Sequence, residues 1–220
     1  MRNIAARTAT NDRSIDRAPL DPDALPVDTG ANPMRQRILL AGLQLFGAHG
    51  YRGTSIRDIA AAGGMQSASL YSYFPSKEAI LAELVFVGHD AHHRILLDSL
   101  LDAEAGPRGQ LRSLITAHVS SHCRYADLAI VTNYERHHLA PEAYAPAAAL
   151  RERSAQLLVN IVVRGIDQGA FDVLDQTTTL GAIAGLGLSA LNWYTTYTGD
   201  LTPDDVGARY AELALRMLGA

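Results

Sequence analysis

Between Thr54 and Ala79 the chain reads TSIRDIAAAGGMQSASLYSYFPSKEA, two short helices joined by a tight glycine turn and followed by the start of a third. In the first segment Thr54 stands where an N-cap is wanted, and Ile56, Ile59 and Ala60 fall at i, i+3 and i+4, so one face is apolar. Gly63-Gly64 breaks that helix. The second segment, Gln66 to Phe74, puts Leu70 and Phe74 on a buried face. At about 100° per residue, Ala68, Ser69 and Ser72 then look outward, with Tyr71 and Tyr73 on the two flanks. That geometry suits phosphate contacts on both walls of a DNA groove. Pro75 ends the helix, Ser76 caps the next, and Lys77 is left at a corner that can meet a phosphate. The outline is a helix-turn-helix.

The rest of the chain is read as helical as well. Asn32-Pro33 is an N-cap and first-turn pair opening a helix with Ile38, Gly42, Leu45 and Phe46 on one face, stopping near Gly50. A long helix is expected from Ser76 to about Ala103, and further helices at about 107–124, 126–138, 142–169, 176–198 and 203–218. No alternating strand pattern occurs. The fold class expected is all-α: an N-terminal three-helix helix-turn-helix domain over residues 32–87 and a C-terminal helical ligand-binding and dimerisation domain over 88–220. Residues 1–31, rich in Arg, Asp, Pro, Thr and Ala, read as a disordered arm, either a solvated tail or a segment whose Arg2, Arg7, Arg13 and Arg17 trail into a minor groove.

A formal net charge of −4 counts at first against a nucleic-acid partner. Its distribution reverses that. Residues 1–31 carry −1 and residues 88–220 carry −5, whereas 32–87 carry +2 through Arg35, Arg37, Arg52, Arg57 and Lys77 against Asp58, Glu78 and Glu83. Two net charges are a modest footprint, so helix N-termini and hydroxyls are expected to supply much of the phosphate binding. The single cysteine, Cys123, rules out an intramolecular disulfide and fits a reducing cytoplasm, and no secretory signal is visible. Gln176 to Gly199 lacks charge, but Thr, Gln, Asn and Ser interrupt it, so a buried interface is preferred to a membrane span.

The blocks Thr54-Ser55-Ile56-Arg57-Asp58-Ile59-Ala60, Gly63-Gly64-Met65, Leu70-Tyr71-Ser72-Tyr73-Phe74 and Ser76-Lys77-Glu78 resemble the DNA-binding domain of the TetR family of transcriptional repressors, over Asn32 to roughly Phe86. The family often has Ser where Gln66 stands, a basic residue at Ser67 and His at Ser72. With the helix reading, the resemblance implies DNA contacts from Arg52, Thr54, Ser55, Gln66, Ser67, Ala68, Ser69, Tyr71, Ser72, Tyr73 and Lys77. It also implies a homodimer on a palindromic operator, because one short recognition helix reads few base edges. The dimer surface expected is a small-residue stripe of Gly181, Gly185 and Ser189, with Val206, Tyr210, Leu213 and Met217 on the last helix. Burial within one subunit is the alternative reading of that stripe.

Asn133-Tyr134-Glu135-Arg136, Gly165 to Phe171 and Asn192-Trp193-Tyr194 look similar to members that sense acyl-coenzyme A thioesters, which would make Arg124, Tyr134, Arg136, Arg164 and Trp193 effector-binding residues. Their plainer reading is surface arginines paired with acids, and core aromatics. His118 and His122 lie one turn apart, with Cys123, His89, His92, His93, His137 and His138 elsewhere, but i, i+4 histidines are common and no metal site and no cofactor are expected. No phosphate loop, nucleophile elbow or metalloprotease motif occurs, so the chain is not read as an enzyme. The function expected is a ligand-responsive repressor whose small apolar or acyl-coenzyme A effector moves the long helix after Ser76 and changes the separation of two recognition helices. The alternatives are a metal-responsive regulator of the same fold and a helical adaptor without DNA binding.

Overall fold

Asn32 opens the first helix: its Oδ1 accepts the free N–H groups of Met34 (3.1 Å) and Arg35 (3.2 Å), and Pro33 occupies the first turn, where no N–H is needed. In the computed structural model, which describes residues 20–26 and 32–220, this α1 spans Pro33–Gly53 and kinks at Gly50, whose φ of 71° suits only glycine. Helix α2 (Ile56–Ala62), the Gly63-Gly64 turn and α3 (Ser67–Leu70) make the helix-turn-helix. The long α4 (Lys77–Leu101) starts at Ser76, whose hydroxyl accepts Ala79 N–H at 3.1 Å. Beyond it come α5 (Pro107–Arg124), α6 (Ala126–Ile130), a π-helical turn (Val131–Glu135), a 3-10 turn (Arg136–His138), α7 (Pro141–Asp167), α8 (Gln176–Ala184), α9 (Leu186–Tyr194) and α10 (Pro203–Met217). The described residues contain no strand, and none of their helices is long and apolar enough to cross a membrane.

Several local expectations are corrected. The N-cap of α2 is Ser55, in a reciprocal capping box with Asp58 (Asp58 N to Ser55 Oγ 3.2 Å, Ser55 N to Asp58 Oδ2 2.8 Å). Thr54 instead closes α1: it is 3 % exposed, and its hydroxyl lies 3.1 Å from the Leu45 carbonyl and 2.9 Å from that of Gly50. The recognition segment is α-helical only over Ser67–Leu70, and Tyr71 to Phe74 continue in tighter turns, Ser72 N bonding Ser69 O and Tyr73 N bonding Leu70 O. Ser and Tyr are weak helix formers, and Pro75 forbids continuation. The expected 126–138 helix is three pieces of different pitch, and 176–198 is two helices parted at Gly185.

Two apolar clusters divide the protein. The first joins α1 to α4 through Ile38, Phe46, Ile59, Leu70 and Ile80, but also takes Leu128, Val131 and Leu139 from beyond residue 87. The expected domain boundary is therefore not a boundary in the core: the segment after α5 folds back beneath the helix-turn-helix. Leu25 is buried in the same cluster, beside the short 3-10 turn Pro22–Ala24, so this stretch of the expected arm is packed. Arg2, Arg7, Arg13 and Arg17 lie outside the described residues. The second cluster gathers α5, α7, α9 and α10 around Leu111, Val119, Val162, Leu191 and Leu215.

In α10, Val206 is 1 % exposed and packs inward, against the dimer role expected of it, while Leu213 and Met217 point outward. Gly207 lets this helix press on α5: a Cβ there would sit 2.5 Å from the Thr116 carbonyl oxygen. Gly165 works likewise in α7, where the chain reverses after Gly169 and the Phe171 ring folds over it, leaving 2.1 Å to any added Cβ. Gly165→Ala is accordingly expected to destabilise the fold by about 1–3 kcal/mol in urea unfolding, with helical content retained below the transition.

Candidate functional site

At the helix-turn-helix end, Gln66, Ala68, Ser69, Tyr71 and Ser72 are exposed, as are Arg52 and Ser55; Ser67 is half-buried. Gln66 occupies the N-cap position of α3, but its side chain makes no capping bond. Tyr71 projects (53 % exposed), whereas Tyr73 packs half-buried against the first core and offers its carbonyl to Arg35 Nη1 at 3.0 Å. The two tyrosines are not equivalent flanks. Gly64, at φ 69°, makes the turn between α2 and α3, and Arg37 crosses directly above it.

Two of the five basic residues counted in this region are engaged within the fold. Arg35 pairs with Glu83 on α4 and lies over the Phe74 ring at 4.2 Å. Lys77 donates to the carbonyls of Tyr51 and Thr54, both at 2.7 Å, with its ammonium 4.0 Å above the Tyr51 ring, and burial lowers its pKa. The expected phosphate-meeting corner is thus first a clamp between α1 and α4.

Tyr51 is the meeting point. Its carbonyl receives Lys77, its N–H donates to Glu135 Oε2 at 3.0 Å, and its ring stacks on His138 at 4.9 Å. Glu135 ends the π-helical turn whose Thr132 and Asn133 line a cavity of about 390 Å³. A second tie runs from Ala140 N, which starts α7, to Glu78 Oε1 at 2.9 Å on the first turn of α4. The cavity wall and the helix-turn-helix therefore share one short, hydrogen-bonded segment.

The cavity lies among α4, α5, α7 and the α8–α9 junction, walled by Ile95, Leu96, Leu114, Ile115, Leu158 and Ile183. Arg151 and Glu152 stand exposed at its edge, and Pro26 adjoins it. Its polar residues include four histidines, His89, His92, His118 and His122, beside Ser121, Thr132, Asn133 and Ser154. Burial first, and the neighbouring Arg151 and Arg136 next, hold the His89 pKa down to about 4; burial and His122 hold His118 near 3. His92 and His122 are lowered mainly by burial too, so all four are neutral at physiological pH.

None of the five residues proposed from sequence for effector binding lines this cavity. Arg124 forms an ion pair with Asp204, both carboxylate oxygens at 2.8 Å. Arg136 lies over the Tyr144 ring at 5.4 Å, Arg164 hydrogen-bonds Gln110, Tyr134 reaches Asn192 at 3.4 Å, and Trp193 Nε1 donates to Tyr210 at 2.9 Å. Only Arg124 takes the plainer role of an arginine paired with an acid, and Tyr134 is 45 % exposed rather than in the core. The histidines do not converge as a whole either: Cys123 is buried in the second core with its pKa raised to about 11, and His137 stacks on His138 beneath Tyr51. Among the described residues, His92, His118 and His122 form the one group of three that could share a ligand. His118 and His122 share a face of α5 by their spacing, but their meeting with α4 has no sequence signature.

Comparison with known proteins agrees with this architecture. Residues 38–84 match the model for bacterial regulatory proteins of the tetR family, and residues 104–218 match the tetracyclin repressor-like C-terminal domain. The chain belongs to the TetR family of bacterial transcriptional regulators. It is 27 % identical over 192 residues to the HTH-type transcriptional repressor KstR2 of Rhodococcus jostii, covering 85 % of this chain and 92 % of that one. A tetR-family regulatory protein from Rhodococcus RHA1 superposes with a TM-score of 0.77 at 30 % identity, over 86 % of this chain and 98 % of its own. The ketosteroid transcriptional regulator KstR2 of Mycobacterium tuberculosis gives 0.75 at 26 % identity, over 86 % and 97 %.

Tyr71 and Lys77 separate contact from scaffold. Tyr71→Ala is expected to weaken binding to every DNA sequence on the order of tenfold, measured by fluorescence anisotropy, with an unchanged melting temperature. Lys77→Met should weaken binding and also lower stability by about 1–3 kcal/mol, because the Tyr51 and Thr54 carbonyls lose their donor.

Proposed function

We propose that this protein is an effector-responsive transcriptional repressor that occupies a two-fold symmetric operator as a homodimer and leaves it when a small molecule fills the cavity beside α4. Family membership and the relatives named as repressors support the DNA-binding half of this reading. The observation that carries the responsive half is the link through the π-helical turn: Thr132 and Asn133 face the cavity, and Glu135, two residues beyond Asn133, holds the Tyr51 N–H at the base of the helix-turn-helix. An effector with different affinity for two positions of this turn shifts α1 and α4 together, because Lys77 and Glu135 grip the same residue.

The effector class that suits the wall is an apolar group with a polar head. A volume of about 390 Å³ accepts an acyl or small ring moiety. A coenzyme A thioester would leave its nucleotide outside, with Arg151 as the cation at the edge for its phosphates. Arg124, Arg136 and Arg164 are occupied elsewhere, which leaves Arg151 in the role first sought among them.

Dimerisation would use the outer faces of the consecutive helices α8 and α9 together with that of α10. Gly181, Gly185 and Ser189 are exposed, nothing lies within 4 Å of a Cβ built on Gly181, and Leu213 and Met217 are 48 % and 42 % exposed. Two copies packed there would form a helical-bundle interface. A cytoplasmic location follows from the operator.

The test is anisotropy on DNA flanking the protein's own coding region, with and without candidate acyl-coenzyme A thioesters. Saturable, salt-sensitive binding that a thioester reverses is expected, and binding indifferent to every apolar ligand tried would refute the responsive reading. Glu135→Ala should keep operator affinity within about threefold while cutting effector-induced release at least tenfold. Gly181→Leu should leave the folded subunit intact and shift the mass in light scattering from two chains to one.

A further inference from the structure

We propose that His92, His118 and His122 form a divalent transition-metal site in the wall of the cavity, joining α4 to α5. Each residue offers a ring nitrogen, and these atoms lie within 4.8 Å of one another. What surface the three rings keep faces the cavity. His92 Nε2 and His118 Nδ1 are 3.1 Å apart, close to the roughly 3.3 Å that separates two nitrogens on a tetrahedral zinc ion.

The hydrogen bonds around the rings constrain their protons. Ser121 Oγ lies 2.9 Å from the His118 carbonyl and 3.0 Å from His92 Nδ1, and when it donates to the carbonyl it accepts from His92. His92 then carries its proton on Nδ1 and bares Nε2. The same His118 carbonyl takes the Nδ1 proton of His122 at 2.8 Å, which bares Nε2 of His122. His118 Nδ1 lies 3.1 Å from His92 Nε2, its Nε2 is buried without a well-formed hydrogen bond, and the Ala184 backbone carbonyl is an acceptor for the same ring. The metal-free rings thus leave ring nitrogens without well-formed partners, His118 Nε2 among them.

A metal ion can be held here without net change in protons. With the His118 proton on Nε2, toward the Ala184 carbonyl, Nδ1 turns its lone pair to the ion together with Nε2 of His92 and Nε2 of His122. Every ligand ring then has its second nitrogen held by an oxygen: Ser121 Oγ, the His118 carbonyl and the Ala184 carbonyl. Protein metal sites commonly fix their histidines this way. Three neutral imidazoles without thiolate suit Zn²⁺, Co²⁺, Ni²⁺ or Cu²⁺ and leave a fourth position open toward the cavity, for water or an oxygen donor. Gly187 completes the enclosure: a Cβ there would lie 2.7 Å from His118 Nε2 and 2.8 Å from His122 Nδ1, so α9 can approach the rings only because this residue is glycine. The site stands independently of DNA binding and of what fills the rest of the cavity.

The test uses the full chain without a polyhistidine tag, stripped with chelator, re-equilibrated with Zn²⁺ or Co²⁺ and passed through a desalting column. One metal per chain by elemental analysis, with the visible absorption of four-coordinate Co²⁺, is expected. His118→Gln should weaken Zn²⁺ binding in calorimetry about a hundredfold, whereas replacing both His137 and His138 with Gln should leave it unchanged. Where His118→Gln lowers the melting temperature, His92→Gln supplies the same comparison from α4. Substoichiometric metal, a six-coordinate Co²⁺ spectrum, or equal affinity in the histidine variants would each overturn the assignment.

Discussion

The peptide unit of Tyr51 is the constraint on which both halves of the molecule rest. The chain needs a kink at Gly50 to bring α2 back beneath α1, and a kink leaves backbone polar groups without helical partners. Glu135 satisfies the Tyr51 N–H and Lys77 satisfies the carbonyl, while the ring packs between the Lys77 ammonium and His138. The residues that repair the kink come from the start of α4 and the end of the π-helical turn. Local backbone satisfaction and domain coupling are thereby one interaction.

The same economy governs the charges. A helix-turn-helix in an acidic protein has few cations, and two of them, Arg35 and Lys77, are bonded within the fold. The face left outward is mostly uncharged: Gln66, Ala68, Ser69, Tyr71 and Ser72, with Arg52 and Arg57 toward its margins. Hydroxyls and helix N-termini thus have the larger share of contact with phosphate in the proposed complex. In the C-terminal half the polar groups are spent differently. Histidines that would be solvated on a surface are drawn into the cavity, where burial keeps them neutral and able to act as acceptors or ligands.

Much of the fold was legible because it is punctuated locally. Asn32-Pro33 and Ser76 mark element ends through bonds between residues two or three apart, and Gly63-Gly64 through bonds within one turn or so, and such bonds are visible in a sequence. Where two caps were adjacent, as Thr54 and Ser55 are, spacing alone could not say which hydroxyl turned toward α2 and which was buried under α1. The pitch change at Val131–Glu135 was not legible either, since Val, Thr and Asn fit an α-helix as well as the wider turn that the packing imposes.

By itself the sequence determined the helical class, the helix-turn-helix and the outward positions of Ala68, Ser69 and Ser72, because periodicity and capping act over a few residues. Only the tertiary structure decided which arginines are engaged in ion pairs, that Val206 faces inward, and that the cavity is lined by His92, His118 and His122 rather than by Arg124, Arg136 and Trp193. Those outcomes depend on how α4, α5, α7 and α10 pack, through contacts between residues as many as 100 positions apart. No local pattern encodes the azimuth at which two distant helices meet, and it is that azimuth which turns scattered histidines into one cluster.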